Sequence, residues 1–244
     1  MMTVPVGVSG AVFLLPVQLS LLGVTSPAVT PTNLLFNVVA VPGALLRYRK
    51  RRQLGGLLTR LLMIGSLPGV VIGAIIRVFA VPGPEVFQLI VAILLLPLGV
   101  WLCMQTMRTH PLARPCRAPS GRVLTALALA VGVVGGLYGV GGGSILGPIL
   151  VSRGLPVATV APATLTSTFL TSIVGAGSYS LLALMNTGDI APNWTLGLAC
   201  GLGGLLGGYL GAHLQPRMPD TALRLLLGGL AIALAIAYAI QALV

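Results

Sequence analysis

Charge is what this chain of 244 residues has least of: Asp, Glu, Lys and Arg together make up 7% of it. A soluble domain covers its surface with about a quarter charged residues, so a water-soluble globule is excluded. Acids are scarcest, 3 against 14 Lys and Arg, and there are 2 histidines. Cysteine is sparse as well. Cys103, Cys116 and Cys200 are odd in number and none has CxxC spacing, so neither a disulfide framework nor a zinc site is signalled. HExxH, a Walker motif and paired carboxylates on one helical face are all missing. His110 falls in a loop and His213 at a segment end, with no evident Ser or Thr partner. An enzyme needs a nucleophile with a base, an acid pair or a metal. The reading is therefore no enzyme, no catalytic residues, no metal and no cofactor. The opening MMTVPVG lacks the basic start of a cleavable signal peptide, so insertion is expected from the membrane segments themselves.

What the chain does have is apolar length. Hydrophobic types are 56% of it and the mean hydropathy is +1.04. Runs such as 90–100 are unbroken rather than alternating, which disfavours barrel strands. With about 20 residues per spanning helix, the expected fold is an all-α polytopic membrane protein. It would be a multi-pass protein of a bacterial inner membrane, with the lipid bilayer as its first partner. The net charge of +11 does not indicate nucleic acid. Most basic residues sit in two short loops, as expected of cytoplasmic loops, without aromatic–basic interleaving.

Apolar stretches run at about 1–22, 28–46, 57–80, 85–107, 123–152, 157–185, 193–214 and 221–243. The longest break, RTHPLARPCRAPSGR at 108–122, is polar and basic. It separates a first membrane repeat, 1–107, from a second, 123–244. The halves share an order of landmarks. Gly10, Pro16, Gly23, Pro31-Thr32-Asn33 and Tyr48 match Gly142, Pro148, Gly154, Pro162-Ala163-Thr164 and Tyr179 at offsets of 132 and then 131.

Charge sets the topology. Loop 47–60 carries Arg47, Arg49, Lys50, Arg51, Arg52 and Arg60; the linker carries Arg108, Arg114, Arg117 and Arg122. Two spans separate these loops, so both are expected in the cytoplasm. If 123–152 dips in and returns, Arg153, Arg217 and Arg224 join them and Asp189 lies outside; a full crossing gives the reverse. Gly135-Gly136 and Gly141-Gly142-Gly143 offer the turn. Each half is then a re-entrant or broken glycine-rich hairpin plus three spans. Three is odd, so the repeats are inverted.

The polar residues inside apolar stretches are mostly neutral and follow the glycine breaks: Ser9, Thr32, Asn33, Asn37, Ser144 and the hydroxyls of TLTSTFLTS, 164–172. Backbone N–H groups at broken helices, with hydroxyls and amides, suit an oxyanion. The plainer alternative is close helix packing by small residues. For 164–172, where hydroxyls cover more than one face, a cavity is favoured. For GLGGLLGGYLG, 201–211, packing is favoured, as a helix contact or a homodimer contact. Tyr48, Tyr138 and Tyr179 are expected at interfaces, and Arg47 and Arg77 to snorkel from span ends. Loop 47–60 follows from topology alone, and gathering anions there is a second use.

GLYGVGGGSILGPIL (137–150), then GLP (154–156), a Ser/Thr-rich helix and GGLLGGYLGAHL (203–214) resemble the TauE/SafE family of sulfite or organosulfonate exporters. The likeness covers essentially the whole chain. The first half departs: it reads VGVSGAVFLLP and begins only a few residues before its break. The resemblance implies transport of small sulfur-containing anions. By motif position it implies substrate binding at Gly141, Gly142, Gly143 and Ser144, and at Ser9 and Gly10. Polarity and repeat position add Asn33, Asn37, Thr164, Ser167 and Thr168. The expected mechanism is alternating access about an anion held at the two breaks. The rivals are an anion channel with the same site, a packing subunit and an intramembrane enzyme.

Overall fold

A computed structural model describes residues 7–11, 26–50, 55–80, 120–185 and 192–243, with isolated helical positions at 14, 18 and between 93 and 107. The linker 108–119, Cys116, Asp189 and most of the stretches 1–22 and 85–107 lie outside the described residues. The described elements are all helical: α1 Ser26–Lys50, α2 Leu57–Ala80, α3 Gly121–Tyr138, α4 Gly142–Ser152, α5 Val157–Met185, α6 Trp194–Leu214 and α7 Asp220–Leu243. Of these, α1, α2, α3, α5 and α6 are long and apolar enough to cross a membrane. Side chains such as Leu57, Ile64, Phe79, Leu184 and Leu206 face outward, as lipid contact requires of an apolar bundle.

Two seams of small residues set the packing. On α2, Gly65, Gly69 and Gly73 recur every fourth residue and so share one face. A Cβ at these sites would stand 2.8 Å from Ala128 Cβ, 2.5 Å from Leu129 O and 3.0 Å from Gly136 Cα, respectively. The α2 and α3 backbones therefore touch, a contact that any side chain would prevent. The second seam joins α6 to α1. There Gly197, Gly201 and Gly204 meet Leu35, Val39 and Ala40, and Gly208 meets the Ala40 carbonyl. The run 201–211 is thus a helix contact within the chain at these glycines. Gly203 is open, and Leu202, Leu206 and Leu210 face outward.

The stretch 123–152 is not one helix. α3 ends at Gly139 (φ 72°), where the Gly139 N–H donates to Gly135 O at 2.9 Å. After Gly141 (φ 73°) the chain starts α4. L side chains strongly disfavour that φ, so glycine is required. The chain then folds back, because a Cβ at Gly135 would lie 2.9 Å from Gly142 N. α3 has 18 residues and α4 has 11, about 27 and 16 Å at 1.5 Å per residue. The hairpin thus has one long and one short arm.

Leu62, Leu124, Leu150, Val157 and Leu223 belong to one buried cluster. These five gather the starts of α2, α3, α5 and α7 and the end of α4 at one end of the bundle. Tyr48, near the end of α1, packs with Ala161 and Ala212. Arg49, Lys50, Arg122, Arg153, Arg217 and Arg224 lie within a few residues of these markers in the chain. They therefore share that end.

Candidate functional site

The site forms where the α3–α4 turn meets the short piece at 7–11. Gly7 (φ 79°) and Gly139 (φ 72°) have the same left-handed backbone, 132 residues apart. Their surroundings correspond as well. Gly7 packs on Ala161 and Thr164 of α5, whereas Gly139 packs on Thr30 and Asn33 of α1. Those partner pairs are separated by 131 residues each, the offset found in the sequence. Each glycine turn thus rests on the long helix of the other half.

Hydrogen bonds tie the two turns together. The Ser9 N–H donates to Ser144 Oγ at 3.2 Å, and Ser144 Oγ donates to Val140 O at 3.0 Å. Ser9 Oγ donates to Asn37 Oδ1 and accepts the Ala11 N–H at 3.2 Å. Asn37 Nδ2 reaches the Gly139 carbonyl at 3.5 Å. Thr164 Oγ1 lies 3.1 Å from Gly7 O and 3.0 Å from Val160 O, so one proton serves both carbonyls. Ser167 Oγ is 2.8 Å from Ser66 Oγ of α2.

Two helix starts therefore face each other. Residue 11 is helical and Leu14 N bonds back to Gly10 O at 3.1 Å, so a helix begins beside Ser9. α4 begins at Gly142 without a side-chain cap. The first N–H groups of a helix have no acceptor within it, and together they carry a partial positive charge. Gly143 sits so close to α5 that a Cβ there would be 2.6 Å from Thr164 C and 2.5 Å from Thr168 Oγ1. Gly141 lies against the Thr168 methyl and Asn37 Nδ2, and Gly10 against the Phe36 ring.

Ser9, Asn33, Asn37, Ser144, Thr164, Ser167 and Thr168 are all buried. Most of their side-chain polar atoms bond to one another, to Ser66 or to backbone carbonyls. The Asn33 amide and Thr168 Oγ1 do not, nor does the neighbouring Ser172 Oγ: all are buried with no hydrogen-bond partner among the described residues. A buried amide or hydroxyl left without a partner costs about 1–3 kcal/mol. The arrangement offers neutral donors and helix starts, which suits an oxygen-rich anion. Among the described residues no group of His, Cys, Asp and Glu is placed to hold a metal.

A family model described as Sulfite exporter TauE/SafE matches residues 1–238. The chain belongs to the TauE/SafE family. A relative in Arabidopsis thaliana, Sulfite exporter TauE/SafE family protein 5, is 34% identical to it over 62 residues. That match covers 25% of this chain and 14% of the plant protein, so the chain spans a small part of that relative. No solved structure matches. As expected of a TauE/SafE chain, this is an all-helical, multi-pass membrane protein.

In this TauE/SafE chain four residues behave otherwise than the sequence suggests. Tyr48, Tyr138 and Tyr179, expected at interfaces, are buried in protein. Tyr179 OH donates to Gly136 O at 2.8 Å, taking a carbonyl from the last turn of α3. Arg77, expected to snorkel, is only 7% exposed, with its Cζ 6.0 Å from the centroid of the Tyr138 ring. Hydropathy could not show this, because burial of Tyr138, Tyr179 and Arg77 depends on where α3 stops, and that of Tyr48 on the packing of α1 against Ala161 and Ala212. Ser66 and Ser172 are further polar residues beside the predicted site residues; Ser172 belongs to the 164–172 hydroxyl run, whereas Ser66 on α2 had no signal in the sequence.

Proposed function

We propose that this chain is a secondary transporter of small sulfur-containing oxyanions such as sulfite or an organosulfonate, with export as its physiological direction. The Ser9–Ser144 contact carries the reading. It joins two helix starts, one from each half, in a buried cluster of neutral polar groups. The family supplies the substrate class, and the geometry supplies a reason for it. Helix N-termini favour anions, and unwound backbone at membrane depth is tolerated where protein surrounds it.

The two halves act as inverted repeats. The reciprocal packing of Gly7 and Gly139 supports this, as does the landmark offset. The basic end of the bundle faces the cytoplasm, by the positive-inside rule. The anion binds between the turns at Ser9, Gly10 and Gly141–Ser144, with Asn33, Asn37, Thr164, Ser167 and Thr168 around it. Rocking of the surrounding helices then exposes the pocket to one side and next to the other. An inside-negative potential drives a monovalent anion outward by about 2.3 kcal/mol per 100 mV.

The test is flux in proteoliposomes loaded with labelled sulfite, with sulfonates, sulfate and chloride as competitors. Saturable, sulfite-competed flux without single-channel currents is expected. Resolved unitary currents overturn the carrier in favour of an anion channel, and the absence of flux for every anion overturns transport altogether.

A further inference from the structure

We infer that Arg77 is the charged member of the anion path: a positioning and selectivity residue that holds the substrate's negative charge beyond the hairpin turn, on the side away from the basic loops. The inference rests on the transport reading above. Arg77 is the one charged side chain buried in protein among the described residues.

Its depth follows from the seam. Gly73 of α2 meets Gly136 of α3, so Arg77, about one turn further along α2, is level with Tyr138 and the Gly139–Gly141 turn. α2 starts at the basic end of the bundle, which puts Arg77 on the far side of the pocket. The Cζ–ring distance of 6.0 Å to Tyr138 is at the outer limit for a guanidinium held over an aromatic face.

One observation separates this from a merely structural arginine. Asn33, whose Cβ abuts Gly139, is buried with neither amide atom bonded among the described residues, and Ser172 Oγ, one turn beyond Thr168, is likewise without a partner among them. Unused donors therefore flank the turn beside a buried cation. An oxyanion leaving the neutral pocket on that side meets Asn33, Ser172 and then the guanidinium. Guanidinium presents two parallel N–H groups to an oxyanion, a geometry that lysine lacks.

The experiment is sulfite flux in proteoliposomes made with the full chain, comparing the parent protein with Arg77→Gln and Arg77→Lys. The glutamine variant is expected to raise KM at least tenfold while Vmax changes less than threefold. The lysine variant is expected to raise KM about threefold or more, and it decides the matter alone should the glutamine variant fail to insert. An unchanged KM in either inserted variant overturns the inference, as does a fall confined to Vmax, which is the mark of a packing role. If the parent protein carries no anion, the transport reading falls and takes this with it. If the parent transports and the variants match its KM, this inference alone falls.

Discussion

The three consecutive glycines at 141–143 are not equivalent, and alanine at each gives a graded test of the site. At Gly143 a methyl would stand 2.5 Å from Thr168 Oγ1 and 2.6 Å from the Thr164 carbonyl carbon. The carbonyl belongs to the α5 backbone and cannot rotate away, so α4 and α5 must part. Overpacking of this kind costs about 1–3 kcal/mol. At Gly141 the methyl meets the Thr168 methyl at 2.5 Å, and the left-handed φ of 73° adds strain of about 1–2 kcal/mol. At Gly142 it meets Ser66 Cβ at 3.2 Å and Gly132 Cα at 3.5 Å. Against that small crowding stands a helix gain of about 0.5–1 kcal/mol. Apparent Tm in detergent should therefore fall for Gly143→Ala and Gly141→Ala by about 2 °C or more, and by less than about 2 °C for Gly142→Ala, at roughly 2–4 °C per kcal/mol for this length. Leucine at 142 is the functional counterpart: the chain should still insert, but flux should be lost because the side chain blocks approach to the start of α4. A Gly143→Ala protein as stable as the parent would refute the α4–α5 contact. Normal sulfite flux through Gly142→Leu would refute the glycine site.

Asn37→Asp places a carboxylate between Ser9 Oγ and the Gly139 carbonyl, so sulfite flux at pH 7 should drop at least tenfold. Undiminished flux at pH 7 speaks against an anion beside Asn37. Ser66→Ala and Ser167→Ala should show a coupling of about 1 kcal/mol in a double-mutant cycle on thermal stability, and simple additivity would mean that the 2.8 Å contact contributes nothing. In a background lacking Cys103, Cys116 and Cys200, cysteines at Gly55 and Ser120 should label from one side of the membrane and one at Asp189 from the other. Labelling of all three from the same side removes the inverted arrangement.

The broken hairpin was legible because a run of glycines inside an apolar stretch has few other uses, and because the basic residues fit only one topology. Ser9 was found by motif position, in a half where the glycine motif is degraded, and it makes the contact between the turns. Other features were hidden for physical reasons. Gly65, Gly69 and Gly73 show a four-residue spacing in the sequence, yet nothing there says which helix they touch. Tyr179 looks amphipathic and so defaults to an interface; only the end of α3 beside it makes it a buried donor to Gly136 O. Arg77 lies near a span end by counting residues, but depth in a bundle depends on where the neighbouring helix stops.

The unequal strength of these contacts indicates where the molecule yields. The α2–α3 pair touches backbone to backbone over several turns, and the α6 glycines seat Leu35, Val39 and Ala40 of α1 over a similar length, so separating either pair exposes a continuous surface at once. The turns rest on the long helices through glycine contacts confined to about one turn of helix, and the hydrogen bonds at the turns join neutral groups, each of net worth about 0.5–1.5 kcal/mol. Two or three of these match the few kcal/mol that separate functional conformers, whereas a whole glycine seam does not. Opening of the pocket should therefore break Ser9–Ser144 and Asn37–Gly139 while both seams stay closed. Hydrogen exchange in nanodiscs reads this directly. Amides at 139–143 should exchange faster than those at 65–73 and 129–136, and sulfite should slow the first set alone. Equal exchange in both regions would mean that the seams open with the pocket, and the rigid pairs would then be no part of the transport cycle.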